Sequence, residues 1–416
     1  MKMKDFITRI IALPLLFVAS APAVHAQAVD PLSLGTLLYN SDGNQLFVGE
    51  NPFPGEKRYQ ARQVVRPKPM GVDQFLAQVD ELAGTQVKTF LVNPVNNQVL
   101  LYKSKIERRF GDGATEDEIK AASPSAQNLV RNLRHFDELG VDPFELLVKR
   151  IRAKGMRPMA TFRIQSAHVP GSEADKKLCN SPWLAEHPEL LLKTKGGAGG
   201  DRNSLLDFAH REVRDRKLAI LREFMTKYDF EGLQLDFQRF PAFVSQPTPE
   251  NVKIMSGFVK DVRAMLDDVA KRTGRPRLVL GVRVQETPAR CAELALDPVG
   301  WCNDGMVDFM VLSKFLFNDN SKLGVPHLDL DLDAFREKLK RKVPIYAAIL
   351  HLESKGRALS PDGYRSLAAK LWKQGFDGIE LFNFFMLRAG EKEELPLFLL
   401  KEIGDPKTIQ PVGSGK

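Results

Sequence analysis

The chain has 416 residues, 43% of them apolar and 27% charged, with a formal charge of +8. This is an ordinary globular composition with enough apolar material for a full core, and no stretch beyond the leader is apolar enough to span a bilayer. The mild basicity fits a solvated surface first and an acidic polysaccharide second; charge alone does not choose.

Residues 1–26 read as an export signal. Lys2, Lys4 and Arg9 form a positive start, residues 10–20 a short apolar run, and Val24-His25-Ala26 a cleavage pattern. Lys2, Lys4 and Arg9 against Asp5 give this segment +2 and leave +6 for the rest. The expected mature protein begins near Gln27 and is secreted or periplasmic. No cysteine follows the cleavage site to carry a lipid. Three cysteines remain, Cys179, Cys291 and Cys302. An oxidising compartment permits one disulfide, with Cys291 and Cys302 closest in sequence, and no Cys/His metal spacing is present.

Eight short apolar runs then recur, each followed by a helical pattern. The predicted strands cover 35–40, 87–93, 157–165, 230–237, 277–284, 307–313, 343–350 and 376–383. Between them, helices are expected at 72–82, 125–139, 143–154, 210–228, 249–272, 298–303, 332–340, 361–373 and 391–402. Long loops follow the second and third strands. Eight units in one series predict an α/β fold, a single-domain (β/α)₈ TIM barrel over 27–404, with a flexible tail over 405–416. Phe230-Glu231-Gly232-Leu233-Gln234-Leu235 and Phe376-Asp377-Gly378-Ile379-Glu380-Leu381 match in type, four units apart, as a half-barrel duplication would place them.

Active sites of such barrels lie at the C-terminal ends of the strands. Alternation in the fourth strand turns Leu233, Leu235 and Phe237 toward the helices and Gln234, Asp236 and Gln238 toward the axis. The same parity turns Arg163 and Gln165, Arg283 and Gln285, and Glu380 inward, and puts His351 and Glu353 on one face at the top of the seventh strand. Buried charge is costly unless paired, so Arg163, Arg283 and Glu380 read equally well as an ion-pair network filling the barrel. Asp236, at a strand end where loops converge, is the leading catalytic candidate. Glycoside hydrolysis by a carboxyl pair needs a second group; Glu353 has suitable parity, while Glu286 matches the outward face unless its strand ends first. His168, Arg239, Asn383 and Trp183 complete the candidate substrate-binding set with Arg163, Gln165, Gln234, Arg283, His351 and Glu380. Phenylalanines at 237, 240, 315, 317, 382, 384 and 385 gather at strand ends, mostly as packing. The Gly196–Gly200 stretch lacks the Lys-Ser/Thr of a phosphate loop, and no HxH or HExxH motif occurs.

Tyr228 to Pro241 resembles a segment of the glycoside hydrolase family 10-like proteins, a secreted bacterial barrel group. His187-Pro188-Glu189-Leu190, the run Asp207 to Arg214, Gly281-Val282-Arg283-Val284 and Gly378 to Asn383 are also similar to segments of that group. The resemblance spans the first to the eighth strand. It implies a barrel glycosidase with an acidic functional residue at Asp236 and a supporting Arg239. The chain departs from true family 10 enzymes in ending its fourth strand Leu235-Asp236, without their Asn-Glu pair. The expected partner is a carbohydrate substrate, with no nucleic acid, stable membrane insertion, metal or cofactor. A non-catalytic carbohydrate-binding barrel of the envelope, or a lyase acting on uronate-containing sugars, stays open beside the hydrolase reading.

Overall fold

A computed structural model describes residues 31–49, 64–166, 171–192, 205–314, 329–350, 359–384 and 396–413. The leader, His168, Gly196–Gly200, Phe315, Phe317, His351, Glu353 and Phe385 lie outside the described residues. Eight parallel strands close a barrel: β1 (Leu37–Ser41), β2 (Val87–Val92), β3 (Arg157–Arg163), β4 (Gly232–Asp236), β5 (Val279–Val284), β6 (Phe309–Leu312), β7 (Ile345–Leu350) and β8 (Gly378–Phe382). Each strand pairs with its sequence neighbour, and β1 pairs with both β2 and β8. The loop after β2 adds a small antiparallel hairpin, Val95–Asn96 with Val99–Leu100.

The helices form for local reasons. Pro249–Thr273 opens on Thr248, whose side chain accepts from Asn251 N, and closes on left-handed Gly274. Pro361–Gln374 opens on Ser360 and closes on Gly375 in the same way. Leu233, Leu235 and Phe237 point outward and are fully buried in the layer shared with these helices. No helix among the described residues is long and apolar enough to cross a membrane. The predicted helix over 332–340 is shorter than its pattern suggested, Leu332–Arg336, and the last described helical turn is a 3₁₀ segment, Leu397–Lys401.

Inside, the lower barrel is filled by Leu38, Leu91, Met159, Val279, Phe309, Val311, Tyr346 and Ala348. The two rings meet edge to face, 5.8 Å between centroids. They fit because glycines stand opposite them: a β-carbon on Gly281 would lie 2.1 Å from the Phe309 ring, and one on Gly378 2.6 Å from the Tyr346 ring. Gly281→Ala is therefore expected to cost about 2–3 kcal/mol by overpacking, read as a lower midpoint in chemical denaturation; an unchanged midpoint would contradict this account of the interior.

The cysteines correct the disulfide expectation. Cys179, Cys291 and Cys302 are all free and buried. Cys291 and Cys302 belong to separate short helices, and the Cys291 thiol faces the Gln285 carbonyl, 3.9 Å away. Burial pushes both thiols up to about 12.

Candidate active site

Strand register brings the site together. Arg163 of β3 stands beside Asp236 of β4, and Asp236 beside Arg283 of β5, so three charged residues lie abreast at the C-terminal rim. All three side chains turn inward. Asp236 is 1% exposed. Its Oδ2 accepts from Arg283 Nη1 at 3.2 Å, and its Oδ1 accepts from the Gln238 backbone N–H at 2.9 Å.

Arg283 is the hub. It is fully buried, donates through Nη2 to Ser313 Oγ at 3.0 Å, and holds Nε 3.6 Å from Glu380 Oε1. Its guanidinium lies over the Phe382 ring, 3.9 Å from the centroid. One cation thus serves two carboxylates, as buried charge requires.

Below this layer Glu380 accepts from Gln234 Nε2 at 2.6 Å and Asn40 Nδ2 at 3.1 Å, while Gln234 Oε1 accepts from Thr161 and Asn40. Gln234 and Glu380 are the equivalent positions of the two matched segments, and they meet across the axis. Burial raises the Glu380 carboxyl, against Arg283, Gln234 and Asn40, which lower it; the Asp236 charge adds to the rise. A raised carboxyl weakens folding as pH climbs from the usual glutamate range, near 4.3, toward the higher native value. Glu380→Gln is expected to remove that decline, which denaturation across the acid-to-neutral range would read as a flatter stability profile; an unaltered profile would place the titration elsewhere.

Asp42, just past β1, completes the rim. It pairs with Arg163 and accepts from Asn383 Nδ2 at 3.2 Å. Arg239 is buried near Asp42, Asp236 and Arg163; desolvation and the Arg163 charge bring its guanidinium down to about 9. Two non-glycine residues adopt positive φ here, Phe240 at 48° and Asn383 at 57°. Asparagine tolerates that region and phenylalanine does so at a cost, so the backbone after β4 is strained beside Asp236. Gln238 is fully buried, and neither of its side-chain polar atoms has a hydrogen-bond partner among the described residues.

Other predicted residues make contacts of their own. Gln165 falls past the end of β3, and its amide bonds the Leu206 and Ala242 carbonyls at 2.6 and 2.8 Å, stitching two loops together. Glu286 follows the end of β5, and its charge raises the Cys291 thiol. Trp183 packs against the Arg216 guanidinium at 4.3 Å and the His187 ring at 5.0 Å, which anchors its loop. Phe237 and Phe384 are packing residues, against Trp301 and Tyr364 respectively. Asn40, Asp42 and Ser313 join the site without having been singled out. The alternation Leu38, Asn40, Asp42 continues the parity used on β4 and was the available signal. Among the described residues no group of three or more His, Cys, Asp and Glu side chains is set to hold a metal.

The barrel is similar to the glycoside hydrolase domain of PgaB (BpsB) from Bordetella bronchiseptica, with a TM-score of 0.52 and 10% identity over 84% of this chain and 94% of that one. The likeness is one of fold. A maltogenic α-amylase, AmyB, from Thermotoga neapolitana is similar at TM-score 0.45 and 15% identity, covering 90% of this chain and 76% of that one. A chitinase from Chromobacterium violaceum follows at TM-score 0.43 and 12% identity, covering 89% and 98%. No family model matches the sequence, and no curated protein matches it.

Proposed function

We propose that the chain is an exported glycoside hydrolase acting on a polysaccharide or glycoconjugate, with Asp236 as its acidic functional residue. One observation carries the reading: Asp236 turns into the axis at the C-terminal end of β4, where barrels of this kind hold their chemistry, abreast of Arg163 and Arg283. The leader supports export, and the glycoside hydrolase fold of the neighbouring structures supports the reaction class. Arg283 acts as a positioning residue because it bonds Asp236 directly, and Glu380 acts through Arg283, which it holds from the other side. Asp42, Arg239 and Asn383 surround Asp236 at the rim. Burial raises the Glu380 carboxyl, and the nearby Asp236 charge adds to the rise, so the two carboxyl groups are electrostatically linked.

A second reading, a carbohydrate-binding barrel without turnover, is favoured by the engagement of both Asp236 oxygens and their burial. The uronate lyase reading is weakened, because Arg163 and Arg283 already pair with Asp42, Asp236 and Glu380. The test is a polysaccharide panel with product analysis. New saturated reducing ends from the mature protein support hydrolysis, retention without release supports binding alone, and unsaturated products support elimination.

A further inference from the structure

Outside the barrel mouth, the helix Arg211–Lys227 carries Lys217 on the face that also bears Val213, Ile220 and Leu221. That face closes a cavity of about 40 Å³ between the Val95–Leu100 hairpin, the segment after β3 and the turn holding Trp183. A water needs about 10–15 Å³ on this measure, so the space takes a few waters or one small polar group, not a sugar ring. A smaller cavity shares Gln98, Lys217 and Ile220 and reaches Arg163 at the end of β3.

The charges around it are unequally satisfied. Glu107 is fully engaged: Oε1 accepts from Arg108 N at 2.8 Å, and Oε2 from Ser181 Oγ at 2.6 Å and Arg216 Nη2 at 2.9 Å. Arg216 spends its remaining contacts on the Ile106 carbonyl and the Trp183 face. Gln98 accepts from Ser181 N at 3.1 Å through Oε1, and its Nε2 donates to no group among the described residues. The Lys217 ammonium likewise has no hydrogen bond or ion pair among the described residues. The cavity therefore holds Lys217 and Arg216 against Glu107, one positive charge in excess, with an ammonium and an amide as idle donors.

We propose that this cavity is an anion site that binds a carboxylate group, one oxygen on Lys217 Nζ and the other on Gln98 Nε2. A carboxylate matches the single excess charge, the two donors and the small volume. Burial, helped by the neighbouring Arg216 charge and opposed by Glu107, brings the Lys217 ammonium down to about 8. An anion beside it reverses that, so occupancy raises the Lys217 midpoint.

Acetate is the probe, titrated into the mature protein at constant ionic strength against chloride. Lysine labelled at Cε is followed by NMR, and the Lys217 resonance is the one missing from Lys217→Met. Acetate is expected to bind in the millimolar range and to raise the Lys217 midpoint by about one pH unit, a tenfold linkage. Gln98→Leu is expected to weaken acetate about tenfold while lowering the melting temperature only by the lost acceptor for Ser181 N, and Lys217→Met to abolish binding. A midpoint indifferent to acetate, acetate binding that persists in Lys217→Met, equal affinity in Gln98→Leu, or tighter binding of sulfate than of acetate would each overturn the assignment.

Discussion

Asp236→Asn is expected to lower polysaccharide hydrolysis by about 10²–10⁴-fold, the range over which one positioned acid or base contributes. The substitution keeps the shape of the side chain and can keep an acceptor for the Gln238 N–H. It removes the charge that faces Arg283, which retains Glu380 and Ser313. The expected stability loss is therefore modest, about 1–3 kcal/mol, and the protein stays folded. Product release measured beside a denaturation curve separates the two effects. A variant that keeps wild-type turnover removes Asp236 from the chemistry, whatever its stability.

The largest expected structural effect comes from Arg283→Met. Methionine restores much of the volume over Phe382 but leaves Asp236 and Glu380 buried without their shared cation. Removing one side of a buried charge set costs about 3–5 kcal/mol. The loss should depend on pH. Glu380 is already raised by burial, and Arg283 is the foremost group lowering it. Without Arg283 the carboxyl rises further, so it destabilises the fold progressively as pH climbs above the glutamate range near 4.3 and least in acid. Urea denaturation at acid and neutral pH reads this directly. A loss of similar size at both would show that packing over Phe382, and not charge, is what Arg283 supplies.

Much of this was legible from period-two alternation. The fourth strand turns Gln234 and Asp236 inward because Leu233 and Leu235 must face the helices, and the same logic placed Arg163, Arg283 and Glu380. It failed where strands stop. Gln165 lies beyond the last residue of β3, where loop geometry replaces the pleat and parity no longer sets direction. Asp42 escaped because the first strand was read as ending at Asn40, so its alternation was not followed one step further. The short helices Asn44–Val48 and Pro182–Glu186 span barely one turn, too few residues for a 3.6 period to register. Lys217 was hidden for another reason. A lysine among Val213, Ile220 and Leu221 shows helical spacing, but only the packed hairpin beside it makes the cavity.

The most direct measurement of the central claim is the structure of the Asp236→Asn protein bound to an oligosaccharide of whichever glycan the panel identifies. The account predicts a saccharide seated over the C-terminal rim, its glycosidic oxygen within about 3 Å of the residue 236 side chain. A saccharide bound elsewhere on the protein, with the ring of strands empty above Arg283, would contradict it.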